Sequence, residues 1–178
     1  MATVTSFLAG HRVRAGAVGL AFLIALSVAW YLGSPLFIRT YTNETVPAVS
    51  AATAAPASTS GATNAPTAAA RVLAQGELGY VDTVHNGKGP VRIIELGGQR
   101  FVRFEDVAIT NAPDIHVYLS RESGGKWSEA GSIYLGALKA TNGSFNYEVP
   151  AGITVGDYKS VVVWCRAFGV LITWADLT

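Results

Sequence analysis

Between Ala15 and Ile38 the chain carries no charged residue, and Val18-Gly-Leu-Ala-Phe-Leu-Ile-Ala-Leu-Ser-Val-Ala-Trp-Tyr-Leu32 is almost wholly apolar. As a helix, a run of about 20 apolar residues spans a hydrocarbon layer of about 30 Å. A helix packed on a soluble core would show a polar stripe, and none interrupts this run. A cleaved secretory signal has a shorter core with a small-x-small site close behind it. Here Trp30, Tyr31, Pro35 and Phe37 follow instead, and Trp30 and Tyr31 suit the headgroup region. The expectation is an uncleaved transmembrane helix over residues 15–38, with a cleaved signal as the alternative. His11, Arg12 and Arg14 precede the run and Arg39 follows it. The positive-inside rule then makes residues 1–14 a short cytoplasmic N-terminus and exports the remainder. A single-pass protein of the cell membrane with an extracytoplasmic C-terminal part is predicted.

That segment also explains the composition. The 178 residues are 50% hydrophobic and only 14% charged, too apolar an average for one soluble domain. Between Thr42 and Ala70, Glu44 is the only charge, among Ala, Thr, Ser, Pro, Asn and Val. Such a stretch has little to bury against the entropy of ordering. Residues 39–70 are therefore predicted to be a disordered linker, with an O-glycosylated stalk as the alternative. Residues 71–178 remain for a globular core, with ten basic and eleven acidic residues. The formal net charge of +1 for the chain offers no basic excess for a phosphate backbone, so nucleic acid is not an expected partner.

In residues 71–178, short β-branched and aromatic runs alternate with Gly, Asn, Pro and Asp. Strands are predicted over residues 80–85, 91–96, 100–107, 115–120, 132–139, 145–149, 160–165 and 168–174. Asn86-Gly87 and the stretch 140–143 read as hairpin turns. The last two runs are apolar on both faces and are expected in mid-sheet. No stretch of ten residues shows a helical repeat. An all-β fold is predicted, an antiparallel β-sandwich or barrel-like domain preceded by one transmembrane helix and the linker.

One cysteine in the chain excludes an internal disulfide, a CxxC pair and a multi-cysteine zinc site. Cys165 ends an apolar strand on the face of Val161 and Val163 and reads either as a small buried hydrophobe or as a redox thiol. His85 and His116 could join it in a His₂Cys set, but no His or Met follows Cys165 as a blue-copper site requires, so no metal is expected. A thiolate haem needs one axial cysteine and stays compatible. His85 also reads as a loop residue and His116 as a solvated neighbour of Tyr118. Asp114 after Pro113 reads as a turn former. No Gly-x-Ser-x-Gly elbow or phosphate-binding glycine loop is present.

The strings Gly79-x₅-His85, Ala112-Pro-Asp-Ile-His-Val-Tyr-Leu-Ser120, Leu135-Gly-Ala-Leu-Lys139, Gly143-Ser-Phe-Asn-Tyr-Glu-Val-Pro150 and Tyr158-x₂-Val161-Val-Val-Trp-Cys-Arg-Ala-Phe168 are more specific. Together they resemble the DM-thirteen domain, an electron-transfer domain of secreted and membrane-anchored proteins, over about residues 75–178. The resemblance implies redox chemistry at Cys165, as a bare thiol or through a prosthetic group such as haem. His85 and Asp114 match recurrent positions of that domain. The functional expectation is thus a membrane-tethered extracytoplasmic domain for electron transfer or thiol redox chemistry, with Cys165, His85 and His116 as candidate cofactor-binding residues. A partner redox protein is implied but not identified. The alternative is a non-catalytic cell-surface interaction module with Cys165 as core packing.

Overall fold

Hydrophobic patterning separates the chain into a helix and a β domain, and a computed structural model describes both, over residues 2–34, 38–47 and 70–178. They form two compact units, 1–38 and 39–178. Most of the expected linker, residues 48–69, lies outside the described residues. Helix α1 runs Ala2–Gly33, starting well before the expected residue 15 and ending before 38. Within it, Arg14–Gly33 has a mean hydropathy of 2.0. Those 20 residues rise about 30 Å at 1.5 Å each, the thickness of a hydrocarbon layer. Among the described residues this is the one helix long and apolar enough to cross a membrane. Its side chains, Val18, Phe22, Leu23 and Ile24 among them, are exposed. The Ser27 hydroxyl donates back to the Leu23 carbonyl (2.9 Å), so the helix satisfies that polar group itself.

Among the described residues, ten strands build the second unit: β1 (Tyr41–Asn43), β2 (Arg71–Glu77), β3 (Gly87–Lys88), β4 (Pro90–Leu96), β5 (Gln99–Ile109), β6 (Ile115–Ser120), β7 (Ser132–Ala137), β8 (Asn142–Glu148), β9 (Ser160–Cys165) and β10 (Val170–Asp176). One sheet has the order β1-β8-β5-β4-β2, with β3 also paired to β5; the other has the order β10-β9-β6-β7. The two sheets enclose one core. Alternation sends Val91 and Ile93, Val102 and Phe104, and Phe145 and Tyr147 inward from the first sheet. Val117 and Leu119, Val161 and Val163, and Ile172 enter from the second. Phe104 stacks on Phe145 with ring centroids 4.9 Å apart. All six residues of β6 are buried, so its outer face is covered as well.

The all-β expectation holds, and the sheet order corrects several details. The stretch expected as a strand over 80–85 is a bend closed by the Tyr80–Asn86 bridge, with Val81 and Asp82 N–H donating to the His85 carbonyl. The turn therefore precedes Asn86-Gly87, and Gly87 joins β3 against β5. Residues 140–143 do not form a hairpin, because β7 and β8 belong to different sheets. β10, expected in mid-sheet, lies at the edge of its sheet, where β2 and the residues after it meet it through backbone bonds. Gln75 and Thr178 exchange backbone bonds of 3.0 and 2.9 Å, and Gly79 N–H donates to the Trp174 carbonyl. Gly76 allows this seam: a Cβ there would sit 2.0 Å from the Asp176 carbonyl oxygen.

Tyr41–Asn43, placed by composition in the linker, instead pairs parallel with β8, Tyr41 opposite Asn142. Its support is polar. Thr40 and Thr141 each donate a backbone N–H to the other's hydroxyl, both at 2.9 Å. The Glu44 carboxylate accepts from Asn146 N–H (2.8 Å) and Lys139 Nζ (2.7 Å). Arg103, buried, donates to the Glu44 carbonyl and to Asn146 Oδ1.

Candidate functional site

β9 lies between β6 and β10, so Cys165 at its end is flanked in register by Ile115 and Val170. Its side chain points inward with Val161 and Val163, as the alternation predicted; all three have 0% exposure and belong to the core. A thiol is reactive as a thiolate, which needs solvent, a cation or a helix terminus to stabilise it. Packed hydrocarbon supplies none of these. An axial haem thiolate needs an open face on which the macrocycle can lie. Cys165 presents its sulfur to packed side chains, so these residues do not fit a haem at this position.

His85 stands at the exposed bend. The Asp82 carboxylate accepts from Val84 N–H (2.7 Å), His85 N–H (2.6 Å) and the His85 ring at Nδ1 (2.8 Å). These bonds, the His85 side chain first, lower the Asp82 pKa from 3.8 to about 2. The arrangement is that of a carboxylate organising its own turn. His116 lies elsewhere, on the outer face of the second sheet, paired across β6–β9 with Trp164. The structure thus places Cys165 inside, His116 outside and His85 at a bend, and does not bring the three together. Among the described residues no group of three or more His, Cys, Asp and Glu side chains is set to hold a metal.

That outer face holds an arrangement of a different kind. His116 and Tyr118 project from β6, Tyr134 from β7 and Trp164 from β9, and Trp127 comes from the loop between β6 and β7. Their rings run in unbroken series. Trp164 to Trp127 is 4.9 Å between centroids, Trp127 to Tyr118 4.6 Å, Tyr118 to Tyr134 5.4 Å and Tyr134 to His116 5.6 Å. These tilted contacts lie in the favoured range for aromatic pairs. Arg166, at the β9–β10 turn, donates from Nε to Tyr118 Oη (2.7 Å), and its guanidinium lies 4.6 Å from the Tyr134 ring centroid. Burial raises the Tyr118 phenol pKa, with Arg166 working against the rise.

At the end of the series His116 is fully bonded, with Nδ1 3.0 Å from Tyr134 Oη and Nε2 2.6 Å from Asp114 Oδ1. It is 8% exposed, against the solvated reading, because Tyr134 and Asp114 close over it. Asp114, read as a turn former, holds a histidine. Sequence reasoning missed Trp127, Tyr134 and Arg166. The usable signal was the alternation of His116 and Tyr118 along β6, which defines a second face rich in rings. Trp127 reaches that face from a loop, which no periodicity could announce.

Fold and site together define a two-sheet β domain with a closed thiol inside and a continuous set of oxidisable rings outside, carried on a chain with one long apolar helix. The chain belongs to the Electron transfer DM13 family, whose model matches residues 80–177. The match begins after β1 and β2, so two strands of the folded unit lie outside it. No curated protein and no solved structure matches the chain.

Proposed function

We propose that this is a single-pass membrane protein whose helix α1 holds the β domain on the extracytoplasmic side, where it passes single electrons to and from a partner redox protein. The carrying observation is the ring series from Trp164 to His116, with no centroid step above 5.6 Å. Tryptophan and tyrosine are the side chains that lose one electron most readily, and neighbouring rings let the vacancy move in short steps. Membership of an electron-transfer family supports the same reading. The tether is supported by the apolar length of Arg14–Gly33 and by the arginines preceding it.

In this reading Cys165 is core packing. Thiol chemistry there, the other form of the redox hypothesis, needs the core to open first. The full chain in lipid nanodiscs is oxidised with a photogenerated one-electron oxidant, and radical spectra are recorded. Ring radicals that return to the starting state on reduction are expected. Trp127→Leu, which removes the ring joining Trp164 to Tyr118, is expected to lower their yield, and Cys165→Ser to leave it unchanged. Loss of redox behaviour in Cys165→Ser, or a Soret band in the purified chain, would sink this assignment and restore the cysteine. A colourless domain with no reversible oxidation would leave the outer face as a protein-docking patch.

A further inference from the structure

We propose that Tyr134 is a redox-active tyrosine that passes its phenolic proton to His116 Nδ1 as it loses an electron, with Asp114 holding the imidazole. The proposal deepens the electron-transfer reading and rests on it. A carboxylate can only accept, so in the neutral ring Nε2 carries the hydrogen toward Asp114 Oδ1 (2.6 Å). Nδ1 then offers its lone pair to the Tyr134 hydroxyl at 3.0 Å. A phenol radical cation is a strong acid, so oxidation is far easier when a base stands ready for the proton.

The surrounding charges favour the coupled step. Arg166, from the β9–β10 turn, lies 4.6 Å from the Tyr134 centroid and opposes positive charge on that ring. Losing the electron and proton together leaves the ring neutral and avoids the repulsion. Glu129, from the turn before β7, sits 3.7 Å from Arg166 and offsets part of its charge. The other phenol on this face is placed differently. Tyr118 Oη accepts a bond from Arg166 and is 1% exposed, whereas Tyr134 faces a base and is 47% exposed. Of the two phenols, Tyr134 is therefore the one that a partner can reach.

In the forward step Tyr134 gives one electron to a one-electron oxidant, a high-potential metal or haem centre of a partner protein, which is reduced by one. The Oη–H bond breaks and an N–H bond forms at His116 Nδ1, leaving a neutral tyrosyl radical beside an imidazolium–carboxylate pair. In the return step a one-electron donor reduces the radical, and the proton moves back to Oη. No atom leaves the site.

The test uses the full chain in lipid nanodiscs with photogenerated tris(bipyridine)ruthenium(III), persulfate having taken up the electron, followed by transient absorption and electron paramagnetic resonance. A tyrosyl radical is expected, slower to form in D₂O and absent in Tyr134→Phe. His116→Gln is expected to slow its formation by about a hundredfold or more, the scale of a positioned base. Asp114→Asn, which keeps the imidazole in place, should slow it less and guards against a folding defect in the first variant. A tyrosyl signal surviving in Tyr134→Phe overturns the proposal. So does oxidation of Tyr134 with no D₂O effect and a rate set by buffer base. Tryptophanyl radicals without a tyrosyl radical overturn this proposal alone, whereas no ring radical of any kind overturns the electron-transfer reading itself.

Discussion

Cys165 and Trp164 are neighbours in β9, yet one faces hydrocarbon and the other a row of rings, because successive strand residues take opposite faces. That rule was available from the sequence, and it placed Cys165 with Val161 and Val163 correctly. What it could not supply was the company on the outer face, since Trp127 and Arg166 arrive from a loop and a turn. Cys165→Ser would bury a hydroxyl where the core offers hydrocarbon. A stability loss of about 1–3 kcal/mol is expected, read from urea midpoints. The native thiol should also resist a thiol reagent until denaturant is added. Asp82 carries a second residue-scale prediction. Its pKa falls from 3.8 unfolded-like to about 2 in the fold, so its contribution is fully present above the higher value and is lost as pH falls through the lower one. The Val84 and His85 amide resonances should titrate with a midpoint near the lower value, and a midpoint at the ordinary carboxylate value would contradict the bonds assigned to Asp82.

Elements rich in β-branched and aromatic residues, β4, β5, β6 and β9, were legible to within about two residues at each end, β6 and β9 fully so. β1 and β2 were not. β1 is held by Thr40 and Glu44, polar side chains that read as linker until their partners Thr141 and Asn146, about a hundred positions away, are known. β2 owes its place to backbone bonds along β4 and to the close approach at Gly76. The β7–β8 connection misled for a related reason: turn chemistry signals a change of direction, but not whether the next strand stays in the same sheet. Gly143 offers a test of how β1 is held. Its φ is +107°, and a Cβ there would meet the Thr42 carbonyl oxygen at 2.1 Å. Gly143→Ala is expected to release residues 40–46 from β8 and cost about 1–3 kcal/mol. Limited proteolysis should then cut within that segment while the rest of the β domain stays intact. A variant as resistant as the parent would show that β1 tolerates the displacement.

For the whole molecule, the hydrophobic average resolves into a helix with exposed apolar side chains and a β domain whose apolar side chains mostly lie inside. The two are separate compact units. Deleting residues 1–34 is expected to move the protein from the membrane pellet to the soluble fraction with little change in its melting temperature. A pellet that survives the deletion would point to a second membrane contact on the β domain. The strand pairing of β1 has a mechanical consequence whenever helix α1 is held fast. Tension pulled through the helix reaches β1 before any other strand, since residues 41–43 stand between the helix and the rest of the fold. A short parallel strand held by polar bonds gives way before a closed core does. Single-molecule pulling should then show one small, low-force step ahead of unfolding. β1 would act as a mechanical fuse, sparing the ring-bearing face of the β domain from strain applied through helix α1.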